Sequence, residues 1–347
     1  MIDRVYDFRS DNVAGAAPEI LDALIAANAG TTAPYGDDEF TRRMNQRFAE
    51  VFECELVAFP ASTGTGANGI ALSALANSYG SIFCHQSAHI NVYECGAPEM
   101  FTGAKLSTVT GTQYKISADR LREEIELAGI GNPTRVQPFA LNLTQPTDFG
   151  TLYAIGEIAE LSEVAHASGL KVHMDGARFA NALAALDCTA AELTWRAGVD
   201  ILSFGATKNG TINAEAIVVF DNALAGRIPY LMKRGGQVLS KARFVSAQLD
   251  RYLADELWLQ RAALANANAS TLASRLSLLP GVSLVAPVEI NMIFLRMPDS
   301  AVRALDAGPF SFYKLGRDIR LVCRHDQEPE GMDALVMCID QAVHGKT

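Results

Sequence analysis

The chain has 347 residues, 49% of them hydrophobic and 20% charged, a usage that excludes a mostly disordered protein. Lys and Arg total 29 against 39 Asp and Glu, a net charge of −10 with no basic tract, so a nucleic-acid partner is not expected. No apolar run approaches the roughly 18 residues of a membrane span, and the opening MIDRVYDFRSDN mixes both charge signs without an apolar core, unlike a secretory signal.

In chain order, Phe40, Met44, Phe48 and Val51 form a helical stripe, and residues 1–50 are expected to lie across two domains. From residue 51 to about 245, short apolar runs alternate with helical patterns. The runs Leu56–Phe59, Ser81–Cys84, Leu106–Val109, Phe139–Leu143, Lys171–Met174, Ile201–Phe204 and Ala216–Phe220 read as strands apolar on both faces. Between the fifth run and the one before it, Ile155, Ile158, Leu161 and Ala165 recur at helical spacing, and Gly169 stands where such a helix ends. Alternating strand and helix predicts an α/β domain with a mainly parallel seven-stranded sheet, with ligands bound at the carboxyl ends of its strands.

Residues 246–347 change character and predict a smaller α+β domain. The stretch from Ser246 to Leu276 reads as one long helix. Strands are expected at Val282–Val285, Met292–Leu295 and Arg320–Cys323, and a last helix near Gly331–Val343. The six cysteines contain no C-x-x-C pair. A chain this long builds a core without staples, so they are expected to be reduced and mostly buried, in a cytoplasmic protein.

Three familiar patterns do not hold up. Gly64-Thr65-Gly66-Ala67-Asn68-Gly69 fits G-x-G-x-x-G, but the next strand ends in Cys84-His85-Gln86, with no acid to hold a ribose. His85 and His89 have the spacing of a zinc helix, yet Gln86 replaces the catalytic Glu and no third ligand is nearby, so no metal is expected. Gly345-Lys346-Thr347 lacks the upstream glycine and following helix of a P-loop.

Three strand-end segments carry the chemistry. Ser62–Asn68 offers small residues, hydroxyls from Thr63 and Thr65 and the N–H groups of a helix start, a cup for phosphate. His173–Arg178 runs a strand into Asp175, a buried acid that needs a cationic partner such as a protonated pyridine nitrogen. Lys208 follows another strand, 33 residues after Asp175. A lysine in restricted surroundings with a lowered pKa can hold an aldehyde carbon covalently. Cup, acid and lysine in that order suit pyridoxal 5′-phosphate (PLP).

The segments FRSDNV (8–13), APYGDDEFT (33–41), TGTGANGIAL (63–72), SAHINVYECGAPE (87–99), LTQPTDFGTLY (143–153), HMDGARFANAL (173–183), ATKNG (206–210) and IRLVCRHD (319–326) span nearly the whole chain. They resemble the low-specificity L-threonine aldolases, fold-type-I PLP enzymes, and particularly the branch acting on phenylserine-like substrates. The resemblance implies cleavage of β-hydroxy-α-amino acids to glycine and an aldehyde. It implies Lys208 as the cofactor-bearing lysine, Asp175 as the pyridine partner and Thr63, Gly64 and Thr65 at the phosphate. His89 would stack on the ring, and Ser10, Arg178 and Arg320 would bind the substrate carboxylate. Tyr35 would line the site, either its own or that of a neighbouring subunit in a homotetramer. The chain departs from the common family pattern in having Thr207-Lys208-Asn209-Gly210 at the lysine and no histidine in Gly131–Gln137. The acceptor of the β-hydroxyl proton is therefore open between His89 and an ordered water. An aminotransferase or racemase on the same fold is the alternative, and a PLP-binding regulator is disfavoured because no DNA-binding module is appended.

Overall fold

A computed structural model describes residues 6–345. Residues 1–5, in the N-terminal stretch read above as no signal, and 346–347, in the Gly345-Lys346-Thr347 end, lie outside the described residues. The large sheet contains β1 (Val57–Ala61), β2 (Gly80–His85), β3 (Lys105–Val109), β4 (Gln137–Thr144), β5 (Lys171–Gly176), β6 (Ile201–Gly205) and β7 (Glu215–Val219). Their spatial order is β1-β7-β6-β5-β4-β2-β3. All neighbours are parallel except β7, which runs antiparallel to both β1 and β6. This is the mainly parallel seven-stranded sheet that the strand pattern predicts.

The inner strands β2, β6 and β7 are buried along their whole length, as apolar runs covered on both faces should be. The expectation of two apolar faces fails at the edges. Edge strand β3 exposes Lys105 and Thr108, and β1 is only half-buried, because an edge strand is covered less completely than an inner one.

Helices α1 (Pro18–Ala27), α2 (Glu39–Phe52), α3 (Gly64–Leu75) and α4 (Ile155–Ala167) belong to this body. Asp38 caps α2 by accepting from the Thr41 N–H. Helix α2 buries Met44, Phe48 and Phe52, and Phe48 meets the edge of Phe204 on β6, with centroids 5.1 Å apart at 87°. Phe204 also meets Phe52, Phe179, Tyr252 and Trp258, so an aromatic cluster lies directly behind the strand that delivers Lys208. Helix α4 closes as expected, with Gly169 at φ 78° just past its end.

The predicted long helix is two helices, α5 (Arg243–Leu253) and α6 (Leu257–Leu276). Asp255 and Glu256 between them take left-handed backbone, φ 56° and 55°, which breaks the hydrogen-bond ladder. Helical periodicity on both sides conceals such a kink. Residue 245 lies within α5, whose Val245, Leu249 and Leu253 pack in the core of the large sheet.

A four-stranded antiparallel sheet follows, with β8 (Met292–Arg296) at its heart, Ser283–Leu284 beside it, and β9 (Asp318–Val322) between β8 and Tyr313–Leu315. The last helix, α7 (Pro329–Val343), packs here with α6 around Ile293, Leu321 and Leu335. The N-terminal segment touches both bodies: Tyr6–Asp7 pairs with Phe310–Ser311, while the Ala17 N–H donates to the Gly210 carbonyl beside Lys208. The six cysteines are free, but only Cys84 and Cys323 are buried. Cys95 is exposed, and the other three are half-buried, a correction to the expectation for small hydrophobes. Among the described residues no helix is long and apolar enough to cross a membrane.

Candidate active site

Two adjacent strand ends converge. Strand β5 ends in Asp175 and Gly176, and β6 ends in Gly205, followed at once by the tight turn Thr207–Asn209 that carries Lys208. Gly205 is obligatory here for a geometric reason. A Cβ on it would lie 2.5 Å from the Ala177 carbonyl oxygen and 2.7 Å from the Ala177 Cα, so only hydrogen lets the two strand ends approach.

Lys208 is surrounded by charge. Its burial lowers the ammonium's pKa, Arg178 adds to the fall, and Asp11, Asp175 and Glu215 oppose it. The net fall favours the neutral, nucleophilic amine. Glu215, the first residue of β7, is buried beneath the turn and accepts the Ala206 N–H at 3.2 Å. Burial pushes its carboxyl up to about 7, against hydrogen bonds from Thr207 and Ala206 and the nearby Lys208 charge.

Asp175 is buried, with Oδ1 accepting the Ala177 N–H and Oδ2 accepting Asn68 Nδ2, both at 3.1 Å. Asn68 Nδ2 also donates to Glu94 Oε1 at 2.8 Å, and the same oxygen holds His89 Nδ1 at 2.9 Å. An ionised carboxylate can only accept, so His89 carries its proton on Nδ1 toward Glu94. Burial opposes charge on this ring. The Glu94 hydrogen bond and the neighbouring Asp175, Asp148 and Glu94 carboxylates outweigh it and raise the imidazole's pKa.

The cup is the N-terminus of α3. Thr63 caps it by accepting the Gly66 N–H at 3.1 Å, the first turn Gly64-Thr65-Gly66 contains no acid, and a Cβ on Gly64 would meet open space. The Gly64 and Thr65 N–H groups precede the helical ladder and suit an anion. A Cβ on Gly66 would come 2.6 Å from Gln237 Oε1, which places that side chain against the cup.

On the opposite side, Arg178 pairs with buried Asp11 through Nε at 2.7 Å and Nη2 at 3.0 Å, which leaves Nη1 outside the pair. Asn291 Nδ2 steadies the same carboxylate at 3.2 Å, and the Ser10 hydroxyl stands 3.4 Å from it. Arg320, on β9, has its guanidinium over the Tyr313 ring and donates from Nη2 to the Arg9 carbonyl, while its buried Nε has no partner. Tyr35 stands apart from this cluster. It is 60% exposed at φ 61°, with its N–H on the Ser240 carbonyl and its ring under Lys233.

The structure therefore gathers Lys208, Asp175, Arg178 and His89, sets the cup of Thr63, Gly64 and Thr65 on the adjoining helix, and brings Ser10 and Arg320 in from the other body. Asp11, Asn68, Glu94 and Asp148 lie inside sequence segments singled out above but were not picked as site residues. An acid or amide among small or apolar neighbours was the available signal. Glu215, an acid opening the apolar run EAIVV, gave the same signal. His85 and His89 do not share a ligand set: His85 Nδ1 holds Ser87 at 2.7 Å, and among the described residues no three metal-ligating side chains cluster.

The residues present fit PLP. A neutral helix N-terminus suits its phosphate, and a buried carboxylate with acceptor capacity suits its ring nitrogen. A half-buried imidazole suits its ring face, and a lysine with a lowered pKa suits its aldehyde. The profile of the "Beta-eliminating lyase" family matches residues 7–300. The chain belongs to that family. Within the β-eliminating lyases it is 42% identical over 332 residues to a low specificity L-threonine aldolase from a Pseudomonas species, covering 94% of this chain and 95% of that one. It is 41% identical to the enzyme of the same name from Pseudomonas aeruginosa, over 95% and 96% of the two chains. The solved threonine aldolase of Leishmania major superposes with a TM-score of 0.92 at 26% identity, covering 97% of this chain and 99% of that one. The family is PLP-dependent, and its members are lyases.

Proposed function

We propose that this protein is a low-specificity aldolase that cleaves L-threonine, L-allo-threonine or phenylserine-like β-hydroxy-α-amino acids to glycine and an aldehyde. The observation that carries the reading is the convergence of Asp175, Lys208 and the α3 cup on adjoining elements, with two arginines facing them. PLP, when bound, supplies an electron sink for the bonding pair released at Cα. Lys208 would hold it covalently through its amine. Asp175, locked by Asn68 and Ala177, would partner the ring nitrogen and keep a proton on it. Thr63, Gly64 and Thr65 bind the phosphate, and His89 stacks on the ring.

Arg320 Nε and Arg178 Nη1 bind the substrate carboxylate, with Ser10 alongside. A planar guanidinium fixes a carboxylate in one plane, which would restrict rotation about the substrate's Cα bonds. Lys208→Ala should lose a borohydride-fixed link to the cofactor together with turnover. A variant that still forms that link would remove Lys208 from the role.

We also propose a homotetramer in the cytoplasm. Tyr35, Tyr93 and Met100 expose large apolar surface, and the six thiols are free, which supports both readings. Tyr35 then serves a neighbouring subunit's site. A dilute, strictly monomeric species with full turnover, seen by mass and assay together, would contradict the assembly.

A further inference from the structure

Asp148 is a half-buried acid that the proposed reaction leaves without a role. It stands on the loop after β4, and that loop is rigid. Gln145 holds the Tyr153 backbone at both N–H and carbonyl, at 3.0 and 2.9 Å. Thr147 and Thr151 share a hydroxyl contact at 2.7 Å, and the Thr151 hydroxyl donates to the Gln113 carbonyl at 2.7 Å. Phe149 stacks on Tyr114, with centroids 3.7 Å apart at 4°. A side chain on such a loop is pre-aimed.

It lies within electrostatic reach of the groups gathered at the site. The charges felt by Asp148 are those of His89, Asp175, Lys208 and Arg178. Its Oδ2 is shielded from solvent and has no hydrogen-bond partner. It lines a small polar pocket with His85, Tyr114, Asn142, Thr144 and Tyr153. The His85 Nε2 there is also buried and unpartnered.

We propose that Asp148 accepts the β-hydroxyl proton during cleavage, His89 keeping the stacking role. This rests on the retro-aldol reading above. The O–H bond breaks, its proton passes to Asp148 Oδ2, and its electron pair becomes the second bond of the aldehyde carbonyl. The Cα–Cβ bond breaks with its pair left on the Cα side, and Cα takes up one proton to become glycine. The net transfer is one proton from the β-oxygen to Cα, so no oxidant, reductant or further reactant is needed.

Two features favour Asp148 over His89. The His89 imidazole is held toward its charged form by Glu94, which weakens it as an acceptor. Burial, chiefly, lifts the Asp148 carboxyl to about 6, the Asp175 charge adding to the rise and the His89, Lys208 and Arg178 charges opposing it. A carboxylate with that pKa is ionised at pH 7 yet more basic than an exposed one.

The test uses the PLP-loaded enzyme and its Asp148→Asn, Asp148→Ala and His89→Asn variants, in two reactions. Aldehyde release from phenylserine needs a proton acceptor at the β-oxygen, whereas deuterium exchange at the Cα of glycine does not. Both Asp148 variants should lose cleavage by about 10²-fold or more, the size of a general-base contribution, with glycine exchange within threefold of wild type. Infrared difference spectra of the wild type should show a protonated carboxyl signal growing as pH falls through about 6, missing in Asp148→Asn. His89→Asn should retain the acid limb of the cleavage profile. Cleavage by Asp148→Asn within threefold of wild type, exchange falling in step with cleavage, or an unchanged infrared signal would each overturn the proposal. Failure of the underlying reading is separately visible, as glycine exchange by a wild type that releases no aldehyde.

Discussion

Replacing Gly205 with alanine tests whether the close approach of two strand ends builds the site. The added Cβ would sit 2.5 Å from the Ala177 carbonyl oxygen, 2.7 Å from its Cα and 2.8 Å from its carbonyl carbon. Ordinary contact begins at 3.4 Å, so the gap must open by about 0.9 Å against backbone, which cannot rotate away as a side-chain tip could. Overpacking of this kind costs roughly 1–3 kcal/mol. At about 2–4 °C per kcal/mol in domains of 150–250 residues, Tm should fall by several degrees. Function should suffer more. Asp175 lies two residues before Ala177 and Lys208 three after Gly205, so the opening displaces one against the other, and a 1 Å misplacement costs about 10²-fold in rate. Differential scanning calorimetry and aldehyde release measure the two effects. Gly15→Ala, where an added Cβ meets nothing within 4 Å, is the control. A Gly205→Ala enzyme that melts within a degree of wild type and turns over normally would refute the reasoning.

Asp11→Asn should destabilise the fold by about 3–5 kcal/mol at pH 7, because it strands the Arg178 guanidinium. Burial raises the Asp11 pKa, but Arg178 and Lys208 charges and hydrogen bonds from Arg178 and Asn291 hold it below 3.8. The stabilisation it gives is therefore complete above the unfolded value of about 3.9 and fades as pH falls through the folded one. Urea melts of wild type and variant should draw together below pH 4, and a gap unchanged down to pH 3 or absent at pH 7 would speak against the pair. Glu94→Gln should lower the His89 pKa, since Glu94 supplies the hydrogen bond that raises it. NMR titration of the ring reads this, and an unmoved or higher pKa would contradict the Glu94–His89 pairing.

Local pattern was enough to locate the seven strands of the large sheet, because each strand's apolar run is visible in its own residues. It also placed Lys208 and Asp175 at strand ends, where an open α/β sheet binds ligands. Contacts between distant residues were not legible. Asn68 meets Asp175 across 107 positions and Arg178 meets Asp11 across 167. Neither partner shows in the other's neighbourhood, so Arg178 read as free for substrate when two of its nitrogens are already engaged. The break between α5 and α6 was hidden for a related reason: Asp255 and Glu256 take left-handed backbone without a glycine to mark the place. Asp148 sits within the segment LTQPTDFGTLY with nothing in its sequence neighbours to single it out, and it stands out only by what surrounds it in space.

The central claim is that the site severs Cα from Cβ of a β-hydroxy amino acid. The most direct measurement supplies the PLP-loaded enzyme with L-threonine, L-allo-threonine and phenylserine and quantifies every product. The account predicts glycine and the matching aldehyde in equal amounts from at least one of them. A keto acid, an inverted amino acid, or neither glycine nor aldehyde from all three would contradict it.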